Sequence, residues 1–166
     1  MQLLDKVKVH LTICAIEISF VGEALPSNIA GWQPFYNAIM ENADFKHAYA
    51  AISSIDFNEE SINSFAGVAY KQKVSFKFPA TDQFRSERIA LFHKTKFVKI
   101  SLSSGQIILI GRNDVNQNAL PTIKSKTNAH LCEIDIETQS IFPVGFSLAS
   151  NGFAFGLPVF LPLNFN

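Results

Sequence analysis

Two histidine–cysteine pairs are the residues best typed for metal chemistry. His10 and Cys14 stand four apart and His130 and Cys132 two apart. On regular strands the members of each pair share a face, and two adjacent strands would gather four nitrogen and sulfur donors of the kind that hold zinc. The spacing is not that of a zinc knuckle, and strand histidines and buried cysteines are commonly packing residues. The expectation is no metal and no cofactor. Asp114-Val115-Asn116-Gln117-Asn118 opens like a calcium loop, but Ala119 stands where the sharp turn needs glycine and Ser125 where the bidentate carboxylate belongs. A hydrogen-bonded turn is the better reading, with a sugar or subunit contact through these amides and Arg112 as the alternative.

Covalent and acid–base chemistry finds less support. There is no Gly-x-Ser-x-Gly elbow, and the eight glycines are scattered singly, so no phosphate-cradling loop forms. Asp82, Arg85, Glu87 and Arg88 fall three or four apart on a predicted helix, where such groups pair on an exposed face. No catalytic residue is expected, and the chain does not read as an enzyme. Nucleic acid is the better candidate ligand, because Tyr70 to Phe78 interleaves aromatics with lysines. Alternation, however, sends Tyr70, Val74, Phe76 and Phe78 to one face and Lys71, Lys73 and Lys77 to the other, as in a core-facing strand with a solvated back. Those lysines, with Arg85 and Arg88, are the candidate nucleic-acid-facing residues, and lining a channel that carries nucleic acid would require no stacking.

The elements that must position these groups are mostly strands. From Val7 to Ile13 the apolar residues keep one parity and from Cys14 to Phe20 the other, which predicts a bulge or bend near Ile13–Cys14. Glu23 to Asn42 reads as a long connection with Trp32, Phe35 and Tyr36 pinning it, and His47 to Asp56, whose alanines fit a strand or a short helix, as a weak strand. Val68 to Phe78 is a half-buried strand ended by Pro79. Thr81–Asp82 is an N-cap candidate for a helix of about three turns carrying Phe84, Ile89, Leu91 and Phe92. Lys96–Leu102 and Gln106–Ile110 flank Ser103-Ser104-Gly105 as a hairpin, and the unbroken apolar run Ile107–Ile110 predicts a strand covered on both faces. Thr122–Lys126 and His130–Thr138 form a second hairpin around Thr127–Asn128, and Asn151-Gly152 marks a further turn. The fold class expected is mainly β: a β-sandwich or partly open barrel, with one principal α-helix packed on a sheet and an extended apolar C-terminal segment.

At 166 residues the chain has the length of one domain. The organisation expected is a β-rich domain over residues 1–145 followed by a segment or arm over 146–166. Fourteen Lys+Arg balance fourteen Asp+Glu, which removes the simplest argument for a polyanion binder. Charged residues are only 17% of the chain against about 25% in ordinary soluble domains. The signs are segregated along it: residues 1–60 hold three Lys and eight Asp/Glu, and residues 71–99 hold eight Lys/Arg and two Asp/Glu. That predicts opposed acidic and basic faces, unless folding mixes the two sets. Two cysteines and the absence of any Asn-x-Ser/Thr acceptor demand no secretory history, and the N-terminal run alternates like a strand instead of a signal peptide.

Thr138 to Asn166 carries no charge, but Pro143, Gly145, Gly152, Gly156, Pro158 and Pro162 would break a spanning helix repeatedly, so no membrane span is expected. Phe153, Phe155, Leu157, Val159, Phe160, Leu161, Leu163 and Phe165 would make a large exposed apolar patch if left free. They are the candidate partner-binding residues, suited to laying across a neighbouring subunit; the alternative is a strand of the chain's own core.

Phe76-Lys-Phe-Pro79, Asp82-x-x-Arg85, Lys96-Phe-Val98, Gly111-Arg-Asn-Asp114 and Ile141-Phe-Pro-Val-Gly-Phe146, spread over residues 68–146, resemble small β-rich structural proteins of tailed-bacteriophage particles, of the neck, tail or capsid-associated kind. The resemblance implies a virion component made in a bacterial cytoplasm, assembled in many copies with other structural proteins and without an active site. The function expected is thus a structural assembly protein that forms homo-oligomers, the alternative being a cytoplasmic β-sandwich or barrel module binding nucleic acid or carbohydrate.

Overall fold

A computed structural model of the chain describes residues 12–20, 43–64, 67–117, 119–144 and 146–148. Its organising strand is β4, Gly67–Pro79, where Val74, Phe76 and Phe78 are fully buried and Lys73, Ser75 and Lys77 between them face outward. β8, Leu131–Ser140, repeats the pattern with Cys132, Ile134 and Ile136 buried. The two are antiparallel with Val74 opposite Ile136, Phe76 opposite Ile134 and Phe78 opposite Cys132, so the apolar rows meet directly. β3, Asp56–Ser64, and β7, Thr122–Thr127, complete a four-stranded sheet in the order β3-β4-β8-β7.

A second antiparallel sheet packs over it. Its order is β2-β1-β5-β6-β9, from Lys46–His47, Ile13–Ser19, Phe97–Leu102, Gln106–Ile110 and Phe146–Leu148 respectively. Ile16, Ile18, Val98, Ile100, Leu102, Ile108 and Ile110 join the residues of β4 and β8 in one buried cluster, the core of a two-sheet sandwich that does not close into a barrel. Ile107 and Leu109 are buried as well, at 3% and 0% exposure, so β6 is covered on both faces as its sequence predicts. The bulge also lies where the parity changes: the β1–β5 register shifts between Ile13 and Ala15. Ile13 thereby packs on the core and Cys14 is exposed. Both hairpins form, with Gly105 at φ +82° in the first and the Asn128 carboxamide accepting from the amides of His130 and Leu131, each at 2.8 Å, in the second.

Three expectations need correction. The helix α1 runs only from Arg85 to Phe92, eight residues, with Phe84 and not Asp82 at its N-cap. Ile89 and Phe92 alone reach the core while Phe84 and Leu91 stay exposed, so the apolar stripe is too short to hold a third turn. Phe92 packs edge-on against Phe76 at a centroid distance of 5.1 Å and anchors the helix. His47 to Asp56 is not a strand: β2 ends at His47, and Ile52–Ser54 is a 3-10 turn whose Ser54 hydroxyl accepts from the Lys77 amide at 2.9 Å. The sandwich also extends past Gly145, since Phe146–Leu148 pairs with β6. Among the described residues no helix is long and apolar enough to cross a membrane.

Candidate assembly interface

The outward face of the four-stranded sheet carries its charges in columns, one sign to a strand. β3 presents Asp56, Asn58 and Glu60; β4 presents Lys71, Lys73 and Lys77; β8 presents Glu133, Asp135 and Glu137; β7 presents Lys124 and Lys126. Alternation produces this arrangement, because residues opposite one another in antiparallel strands share a face. Lys73 Nζ reaches Asp135 at 2.9 Å; Lys71 and Lys124 both reach Glu137 at 3.6 Å, and Lys77 reaches Glu133 at 3.6 Å. Folding therefore mixes the two signs that the sequence segregates. The candidate nucleic-acid-facing lysines line up as expected on one face, but each has a carboxylate across from it. Arg85 lies apart from them, donating to the Ala80 carbonyl at 3.1 Å, and Arg88 is bound to Asp82 at 2.5 Å and stacked over Tyr49.

Asp135 is the best-held member of this face. Burial pushes its carboxyl up, but the Ser75 hydroxyl, which donates to it at 2.6 Å, and the Lys73 ammonium outweigh burial and hold it below the ordinary carboxylate range. The hydrogen bond to Asp135 in turn raises Lys73 above its ordinary value of 10.5. A depressed carboxyl contributes stability that is present above the unfolded value and lost as pH falls through the folded one. The Lys73 contribution is likewise present below the unfolded value and lost only in strong alkali, as pH rises through the raised one. Asp135→Asn is expected to cost about 0.5–1 kcal/mol at pH 7, a small figure because the pair is partly in water. Urea midpoints for the two proteins should draw together as pH falls below the ordinary carboxylate value and through the lower folded one; a gap that does not narrow with acid would mean the loss is not electrostatic.

The Asp114 turn is internally satisfied. Arg112, 3% exposed, donates from Nε to Asp114 Oδ2 at 2.6 Å and lies over the Phe142 ring at 4.8 Å. That carboxylate oxygen also accepts from the Ile141 amide at 3.2 Å. Asn113 accepts from the Gln139 amide and donates to the Ala119 carbonyl, both at 3.0 Å. These bonds tie the β6–β7 connection to the end of β8, which is the hydrogen-bonded turn read from the sequence. Beside it Glu59 accepts from the Val144 amide at 2.7 Å, and Gln72 donates to the Phe142 carbonyl at 3.3 Å. Both hold the crossing from β8 to β9.

Of the proposed metal donors, His10 lies outside the described residues, Cys14 is exposed on the bulge, His130 is exposed in the hairpin turn, and Cys132 is buried in the core. The candidate partner-binding residues Phe153, Phe155, Leu157, Val159, Phe160, Leu161, Leu163 and Phe165 lie outside the described residues, as do the connection 23–42 and the Asn151-Gly152 turn. Sequence reasoning missed β3 altogether. The signal was there in Asp56, Asn58 and Glu60, a polar row two apart whose carboxylates match the lysine row of β4, but Phe57 and Ile62 are the strand's only aromatic and β-branched residues and they fall on opposite parities, so no hydrophobic alternation marks it. No protein-family model matches the chain, no curated protein shows a significant resemblance to it, and no solved structure matches it significantly.

Proposed function

We propose that this protein is a structural assembly component, a virion part of the neck, tail or capsid-associated type. In this reading it is made in a bacterial cytoplasm and builds homo-oligomers that dock on other structural proteins. The observation that carries the reading is where the uncharged end of the chain begins. Leu148 belongs to β9, an edge strand of the five-stranded sheet among the described residues, and the eighteen residues after it contain no charge and eight large apolar side chains at positions 153 to 165. That composition supports the reading, because an extended apolar segment can add to the sheet edge of a neighbouring subunit. Nucleic acid would then enter as the content of a channel, not as a ligand of the lysine face, whose carboxylates leave it without net positive charge.

Size-exclusion chromatography with light scattering on the full-length chain is expected to give a mass several times 18.4 kDa. Replacing Phe153, Phe155, Phe160 and Phe165 together by serine should lower that mass, with an unchanged far-ultraviolet circular dichroism spectrum. A wild-type chain that runs as a monomer throughout the micromolar range would end the assembly reading.

A further inference from the structure

We propose that copies of this chain also join edge to edge through the four-stranded sheet, β7 of one copy lying against β3 of the next. The inference rests on the assembly reading but uses the four-stranded sheet, whereas the strand that leads into the C-terminal segment, β9, belongs to the five-stranded one. Each step along β3-β4-β8-β7 is antiparallel, so the two edge strands run in opposite directions. A second copy displaced sideways therefore brings its β3 antiparallel to β7 with the charged faces on the same side. The six residues of β7 fit within the nine of β3.

Charge selects this junction over its competitors. Inside the subunit every neighbouring pair of columns has opposite signs, and the lysine column of β7 against the acidic column of β3 continues the series unbroken. Placing Lys126 opposite Asp56 sets Lys124 opposite Asn58, diagonal to both Asp56 and Glu60. The register two residues along sets Lys124 opposite Glu60. Both keep the charged rows on one face, because odd shifts would turn them to opposite faces. Two-fold junctions, β3 on β3 or β7 on β7, would set like charge against like. Edge lysines ordinarily keep sheets from pairing; with an acidic edge on the same sheet they permit one partner and forbid the rest. The contact is heterologous, so repetition with the natural twist of a sheet yields a ring or a helical stack.

Among the described residues β7 pairs with β8 alone, which leaves its outer edge open. The Asn128 amide donates to the Leu131 carbonyl at 2.9 Å, and counting back by antiparallel alternation points the amides of Thr122, Lys124 and Lys126 at β8. Those of Ile123, Ser125 and Thr127 then point away from the sheet.

The test is a charge exchange in the full-length chain, read by light scattering. Lys124→Glu with Lys126→Glu makes both edges acidic, and Asp56→Lys with Glu60→Lys makes both basic. Each double variant alone is expected to associate at least tenfold more weakly than wild type, and an equimolar mixture should regain the wild-type mass. Should the first fail to fold because Lys124 also faces Glu137, Ser125→Pro removes an outward amide without touching the internal ladder, and it too should weaken association at least tenfold. Wild-type mass in the folded variants, or no recovery on mixing, overturns the edge junction while leaving assembly through the C-terminal segment standing. A monomeric wild type overturns both.

Discussion

Gly111→Ala is expected to lower the stability of the protein by about 3–5 kcal/mol, combining backbone strain of about 1–3 kcal/mol with overpacking of similar size. Gly111 sits at φ +146°, where side chains are rarely tolerated, and a Cβ built there would lie 2.3 Å from Phe97 Cδ1 and 2.7 Å from the Lys96 carbonyl oxygen. The Phe97 ring is itself buried at 5% exposure, and the Lys96 amide donates to the Ser19 carbonyl at 2.8 Å, so neither neighbour is free to retreat. The strain would fall at the end of β6, where the chain leaves the five-stranded sheet for the Asp114 turn. Gly105 provides the comparison. It also has a positive φ, +82°, but nothing stands within 4 Å of its added Cβ, so Gly105→Ala should cost only about 1 kcal/mol. Urea denaturation of both variants, with m values equal to wild type, measures the difference. Equal losses at the two glycines would show that Phe97 and Lys96 yield and that close approach is not why residue 111 is glycine.

The sheet core was legible because burial imposes a period. Val74, Phe76 and Phe78 alternate with polar residues, and so do Cys132, Ile134 and Ile136; both are the runs that meet in the interior. The β1 bulge could be read for the same reason, since a change of parity has few other causes. The candidate assembly face was half legible. Its lysine row is visible from spacing, but its significance depends on Glu133, Asp135 and Glu137, which lie more than fifty residues away and are brought across from it only by the β4–β8 register. β3 is the clearest failure. It is an edge strand whose outward side is polar, so it buries too little to impose a hydrophobic period, and β4 beside it supplies the pairing that makes it a strand. The helix is shorter than its apolar residues suggest, because Phe84 and Leu91 stay exposed and only the side of the segment that ends at Phe92 is buried.

Asp114→Ala carries the other large expected effect, about 3–5 kcal/mol, because it withdraws the carboxylate facing a buried guanidinium. Arg112 remains 97% inaccessible among residues of the sandwich end, and the change removes from it a 2.6 Å charge-assisted bond. The Ile141 amide loses its acceptor in the same step, at the point where the chain turns out of β8 toward β9. If the cost arises from burying a charge short of its counter-charge, removing the charge as well should relieve it. Arg112→Met in the Asp114→Ala background is therefore expected to recover at least half of the loss, the methionine keeping the contact with Phe142. If instead the Ile141 bond dominates, the double variant will be no more stable than Asp114→Ala alone. A double-mutant cycle by urea denaturation separates the two, with a coupling of about 2 kcal/mol or more expected between Arg112 and Asp114. A loss below about 1 kcal/mol for Asp114→Ala would mean that Asn113, through Gln139, holds this turn to β8 without help from the ion pair.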